Sequence, residues 1–134
     1  MDKFNSETTI QTEFSAMLAA AKSYFETNQQ KKQKFHQCLI LSTAQGDHIT
    51  YPINTDSIDL LVANECTLFS DLKETKKTVI KKVVCMWDGG HLDVPSRQFM
   101  TTLCNLNVEN RETQILLSAG TNAYVTKKIA DIIG

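Results

Sequence analysis

The stretch Val-Val-Cys-Met-Trp at residues 83–87 is apolar without a break, and it constrains the fold more than any other part of the chain. A strand with one wet face alternates apolar and polar side chains, whereas an unbroken apolar strand must be covered on both faces. The strand expected over residues 78–87 is therefore central in a sheet that carries helices above and below it. A chain of 134 residues is long enough to supply that cover from a single domain spanning residues 1–134.

The flanking segments supply the layers. Ile10, Phe14, Met17, Leu18, Ala21 and Phe25 follow helical spacing, which predicts a first helix from Thr8 to about Asn28 with Thr8 and Gln11 as a capping box. After the polar connector QQKKQK (29–34), FHQCLILST (35–43) and ITYPI (49–53) read as two strands around the turn AQGDH (44–48). Pro52 marks the second of them as an edge strand or as ending there. SIDLLVANECTLFSDL (57–72) reads as a second helix, entered through capping residues and closed by the polar KETKK (73–77). Beyond the loop DGGHL (88–92), Asp93 is the expected cap of a third helix, with Ser96 also bonding its first turn. Pro95 fits that first turn, and Phe99, Met100, Leu103 and Leu106 form the inner face. TQILLSA (113–119) is a strand, and residues 121–134 read as a closing helix capped by Thr121 or Asn122, with Val125, Ile129, Ile132 and Ile133 inward. The order α-β-β-α-β-α-β-α predicts an α/β protein, a three-layer α-β-α sandwich around a mixed sheet.

Composition narrows the function. Hydrophobic residues at 42% and charged residues at 22% describe a folded globular chain. A net charge of -1 offers no basic footprint for a phosphate backbone, so nucleic acid is not an expected partner, while single bases and nucleosides stay open. The apolar runs are too short to span a membrane and the N-terminus lacks the pattern of a signal peptide, so the expected location is the cytoplasm. Cys38, Cys66, Cys85 and Cys104 lie apart, each in an apolar segment, and read as reduced, buried thiols. His36 and His48 flank the hairpin and are expected to be solvated, as are the basic runs KKQK and KETKK.

The second helix carries an anomaly. Leu61, Glu65, Leu68, Phe69 and Leu72 share one stripe, which puts a carboxylate on the face that should meet the core. A lone buried carboxylate costs several kcal/mol, so Glu65 needs a reason. It faces a ligand pocket, or accepts N–H groups from a nearby helix start such as that of the helix beginning near Asp93, or the helix sits in another register. Trp87, beside a Gly-Gly loop at the end of the central strand, either walls a pocket and stacks on a base or belongs to the core.

Asn54 at the end of the second strand, Ala63-Asn64-Glu65 in the helix after it and Leu-Asp-Val-Pro-Ser-Arg-Gln at 92–98 follow the order of motifs in the cytidine deaminase superfamily. The chain resembles that family over nearly its whole length, and the spacing from Asn54 to Ala63 looks more like its blasticidin S deaminase branch. The resemblance implies a cytidine deaminase-like fold, with Glu65 as proton shuttle and Asn54 and Asp56 contacting a sugar or its equivalent. Both residues also suit a turn with no ligand at all.

In the family, three Cys or His side chains hold a zinc ion that activates water. Ala63, Asp93 and Ser96 stand at those positions here. Alanine has no lone pair to offer and a hydroxyl is a poor zinc ligand, so no zinc cofactor is expected. Without the metal, nothing brings the pKa of water from about 15.7 towards 7. The expectation is a deaminase-fold module that binds a nucleoside or base, or assembles, without hydrolysing its ligand. The alternative is an active hydrolase that deaminates a nucleoside or related aminated heterocycle through Glu65, either with a relocated metal, for which His91, Asp93 and Cys66 are the candidates, or by metal-free acid–base chemistry. A third reading sets the resemblance aside and leaves a small α/β interaction protein. The family resemblance also implies self-association as a dimer or tetramer.

Overall fold

The computed structural model describes residues 2–29, 33–120 and 123–134, with side chains described from residue 12 onward. Its elements are α1 (Asp2–Thr27), β1 (Phe35–Thr43), β2 (His48–Thr55), α2 (Ile58–Glu74), β3 (Ile80–Trp87), α3 (Arg97–Leu106), a 3-10 turn (Val108–Glu112), β4 (Gln114–Ser118), β5 (Tyr124–Lys128) and α4 (Ile129–Ile133). The sheet order is β2-β1-β3-β4-β5, with β3 and β4 parallel and the other neighbours antiparallel. This is a mixed sheet with helices on both faces, as the element order implies. β3, apolar throughout residues 83–87, lies at its centre, and β2 with Pro52 lies at an edge and continues past the proline to Thr55.

Alternation along the strands sorts the core into two layers. Cys38, Ile40, Val84 and Met86 pack with Phe14, Met17 and Ala21 of α1 on one face. Leu39, Leu41, Val83 and Cys85 pack on the other with Leu61, Leu68, Phe69 and Leu72 of α2 and Phe99, Met100 and Leu103 of α3. Among the described residues, no helix is long and apolar enough to cross a membrane.

Four expectations need correction. The first helix begins at Asp2 and not Thr8, since residues 2–7 contain neither proline nor glycine to stop it. The side chains of Thr8 and Gln11 lie outside the described ones. The third helix is capped by Ser96, whose Oγ accepts the Phe99 N–H at 3.0 Å, and not by Asp93. Pro95 explains the shift, because the residue before a proline is pushed out of helical conformation. Val94 and Pro95 accordingly lie before the helix, and the proline does not open it.

The segment read as a closing helix divides: Tyr124–Lys128 is a fifth strand paired with β4, and only Ile129–Ile133 is helical. Its aromatic and β-branched run, Tyr-Val-Thr, suits a strand once β4 offers an open edge. Val125 is accordingly exposed and not inward, while Ile129 is buried. Thr121 and Asn122 lie outside the described residues. His36, finally, is buried and not solvated. It belongs to the face of β1 that α1 covers, where its Nε2 lies 2.8 Å from the Tyr24 hydroxyl and its ring meets Phe25 edge-on at 4.9 Å. His48 stays near the surface, 3.3 Å from Glu13.

Candidate functional site

Glu65 sits where the helical stripe puts it. The buried residues of α2 are Leu61, Glu65, Leu68, Phe69 and Leu72, and Glu65 is 1% exposed. The helix is fixed at its start by Ser57, whose Oγ accepts the Leu60 N–H. Its inward face lies over β1, and there it meets Gln37. That residue shares the α2-facing side of β1 with Leu39 and Leu41, and it is as buried as the glutamate.

The Gln37 Nε2 donates to Glu65 Oε2 at 2.9 Å. The backbone N–H of Ser96, at the start of α3, approaches the same oxygen at 3.5 Å, the outer limit of a hydrogen bond. Glu65 Oε1 is buried with no partner among the described residues. The carboxylate thus faces both a side-chain amide and the positive end of a helix, with one acceptor oxygen left over. The cap reading of Glu65 is met only by that single long contact with Ser96.

Around this pair the walls are apolar. Cys85 is fully buried, and that burial pushes its thiol well above the usual range, the nearby Glu65 and Asp93 carboxylates adding to the effect. Burial also raises Cys66, again reinforced by Glu65. Trp87 pairs across the sheet with Gln37 and is half-buried. Its ring stands edge-on to Phe35 with centroids 6.5 Å apart, while the Lys34 Nζ lies 5.6 Å from the Phe35 ring centre.

The loop after β3 turns through Gly89 and Gly90, both at positive φ, where a side chain would be strained. It returns so that Leu92 bridges to Met86 and the Asp93 N–H reaches the Cys85 carbonyl at 3.1 Å. That path delivers Ser96 to Glu65.

Asn54 and Asp56 do different work from Glu65. Asn54 Oδ1 accepts the Gln33 N–H at 3.1 Å and Asp56 Oδ1 accepts the Lys34 N–H at 3.0 Å, so both tie down the entry to β1. Glu65, Ser96 and, through its strand register with Gln37, Trp87 come together. Gln37 and Phe35 were missed by the sequence reading. The signal for Gln37 was present, since it stands two and four residues before Leu39 and Leu41 on one strand face.

The donors at the family's metal positions do not fit zinc. Ala63 has no lone pair and lies exposed on α2. Ser96 Oγ is used as the cap of α3, and Asp93, also exposed, accepts the Val94 N–H at 2.7 Å. Among the described residues, no three His, Cys, Asp or Glu side chains gather as a metal ion requires, which includes His91, Asp93 and Cys66.

Comparison with known proteins gives the fold. The chain is similar to a crystal structure of cytidine deaminase from Mycobacterium leprae, with a TM-score of 0.60 and 18% identity over 89% of this chain and 92% of that one. It is also similar to a mutant cytidine deaminase from Mycobacterium tuberculosis, with a TM-score of 0.56 and 16% identity over 74% and 76%. No family profile matches the chain, and no curated protein sequence is significantly similar to it. The chain has a cytidine deaminase-like fold.

Proposed function

We propose that this protein binds a nucleoside or free base at Glu65 without hydrolysing it. The observation that carries the reading is the state of Glu65: a buried carboxylate on a deaminase-like scaffold with one acceptor oxygen unpartnered among the described residues, near positions that the resemblance assigns to metal and whose donors are absent or spent. A carboxylate with free acceptor capacity recognises N–H groups, and an aminated heterocycle presents these on one edge. The half-buried Phe35 and Trp87 rings supply apolar surface of the kind a flat base stacks on.

A catalytic zinc would supply an activated water, and the side chains at residues 63, 93 and 96 do not fit such an ion. Metal analysis of protein purified without chelators, combined with an ultraviolet assay on cytosine, adenine and guanine derivatives, tests the proposal. We expect binding without turnover and without stoichiometric metal. About one tightly held zinc per chain overturns it. So does turnover that is lost in Glu65→Gln, which would instead establish the hydrolase alternative.

We further propose a cytoplasmic protein that associates as a homodimer or homotetramer. The four free cysteines suit a reducing compartment, and Ile58 and Leu60 at the start of α2 are large apolar side chains left more than half exposed. Light scattering that finds only monomer at micromolar concentration overturns the assembly.

A further inference from the structure

Gln37 holds the position that a ligand of Glu65 would need. Its Nε2 lies 2.9 Å from Glu65 Oε2, both side chains are 1% exposed, and the pair is closed off from solvent. A primary amide is a small planar group bearing an N–H donor next to a carbonyl acceptor, much like the edge of an aminated heterocycle that carries an exocyclic amine beside a ring nitrogen. A ligand that engages both oxygens of Glu65 must therefore break the amide–carboxylate bond at Oε2.

We propose that Gln37 is an internal occupant of the base site, a tethered mimic of the ligand's polar edge that shuts the pocket until an aminated heterocycle displaces it. The proposal rests on the reading of Glu65 as the base-binding acid. Three features of the site support it. The bond joins β1 of the sheet to α2 on its face across 28 residues of chain, so it depends on the folded protein. Glu65 Oε1 remains without a partner among the described residues, so the amide satisfies half of the carboxylate and leaves an acceptor that a ligand with two N–H groups would use. Trp87, the strand neighbour of Gln37, is only half-buried, so the side of the amide facing Trp87 is where displacement meets least packing.

Displacement exchanges one hydrogen bond to a buried charge for another, so the net gain from binding is small in the wild type. Gln37→Ala removes the competitor and leaves Oε2 with only the long Ser96 contact, so the ligand's interaction with the carboxylate appears as affinity. The consequence is population arithmetic: a site that is mostly closed binds with an apparent affinity reduced by the fraction open.

The test compares cytidine and guanosine, with uridine as a control that lacks an exocyclic amine, by calorimetry on the wild type and Gln37→Ala. Expected is binding of the aminated nucleosides about tenfold tighter or more in the variant, with uridine unchanged and the gain abolished in Gln37→Ala/Glu65→Ala. If Gln37→Ala does not fold, side-chain amide resonances of the wild type give the answer. Saturating cytidine should shift the Gln37 NH2 signals and speed their exchange with solvent.

Equal affinity in wild type and variant, or Gln37 signals untouched at saturation, overturns the occupant role and leaves base binding standing. No binding of either aminated probe by wild type or variant overturns both.

Discussion

Asn110 and Ile80 are joined across 30 residues of chain by a hydrogen bond of 2.8 Å from the Ile80 N–H to Asn110 Oδ1. The amide of Asn110 also donates to the carbonyls of Thr78 at 2.8 Å and Leu103 at 2.9 Å, and the side chain is fully buried. One residue thus satisfies the start of β3 and the last turn of α3 together. Asn110→Ala removes three hydrogen bonds to backbone groups, of which the Leu103 carbonyl keeps the Asn107 N–H at 3.3 Å, and we expect a loss of about 2–4 kcal/mol in urea unfolding. A loss under about 1 kcal/mol would mean that water replaces the amide.

α2 ends with Lys76 in the left-handed region at φ 60. The Lys77 N–H bonds the Leu72 carbonyl at 2.9 Å and the Lys76 N–H bonds that of Lys73 at 3.2 Å, the pattern of a Schellman cap. Glycine takes that conformation without the clash of a Cβ. Lys76→Gly is expected to stabilise the protein by about 1 kcal/mol, and a lowered thermal midpoint would contradict the assignment.

Glu13 on α1 reaches three strands: Lys82 Nζ at 2.6 Å, Ser42 Oγ at 3.0 Å and His48 Nε2 at 3.3 Å. The Lys82 contact, opposed in part by burial and helped by His48 and Ser42, holds its carboxyl below the usual 4.5. A lowered folded value contributes stability that is present above the unfolded pKa and lost as pH falls through the folded one. The stability difference between wild type and Glu13→Gln should therefore be about 1 kcal/mol or less at pH 7, given the partial exposure of the pair, and should vanish towards pH 3. A difference independent of pH would exclude the carboxylate as its source.

Alkaline pH acts in the opposite sense. Burial pushes the Cys38 thiol up to about 12 from 9.0 and also raises Cys85, Tyr24 and Tyr51. Raised folded values stabilise fully below the unfolded pKa, near 9 for the thiols, and that contribution is lost as pH climbs through the folded values. Unfolding midpoints should fall steadily between pH 8.5 and 11. Cys38 and Cys85 should resist a thiol reagent at pH 7 until the protein unfolds, and rapid labelling of either in the native state would refute their burial.

What could be read from the sequence was whatever local periodicity controls. The stripe from Leu61 to Leu72, the inward Glu65, the hairpin and the doubly covered β3 all follow from spacing along one element. What escaped depends on partners distant in the chain. Tyr124–Lys128 reads as helix because Val125, Ile129, Ile132 and Ile133 fit a helical face, and only the edge of β4 makes it a strand. His36 looked solvated because nothing near it in sequence says that Tyr24 and Phe25 cover that face. Asp93 and Ser96 are both good caps, and the choice between them was made by Pro95.

Gln37 carried a legible position but no legible role, since its partner lies in another element. Asn54 and Asp56 were legible as turn residues, and their bonds to Gln33 and Lys34 now show which segment they hold.

The two polar residues side by side on β1 point to opposite layers, His36 to the aromatic rings of α1 and Gln37 to the carboxylate of α2. Slipping β1 by one residue would turn both to the wrong layer, setting the imidazole against Glu65 or the amide among the rings according to the direction of the slip, while every apolar neighbour from Cys38 to Leu41 still met an apolar layer. Hydrophobicity is blind to that error on a strand greasy on both sides. The adjacent pair works as a parity check on β1, rejecting a misthreaded hairpin that the core alone would accept.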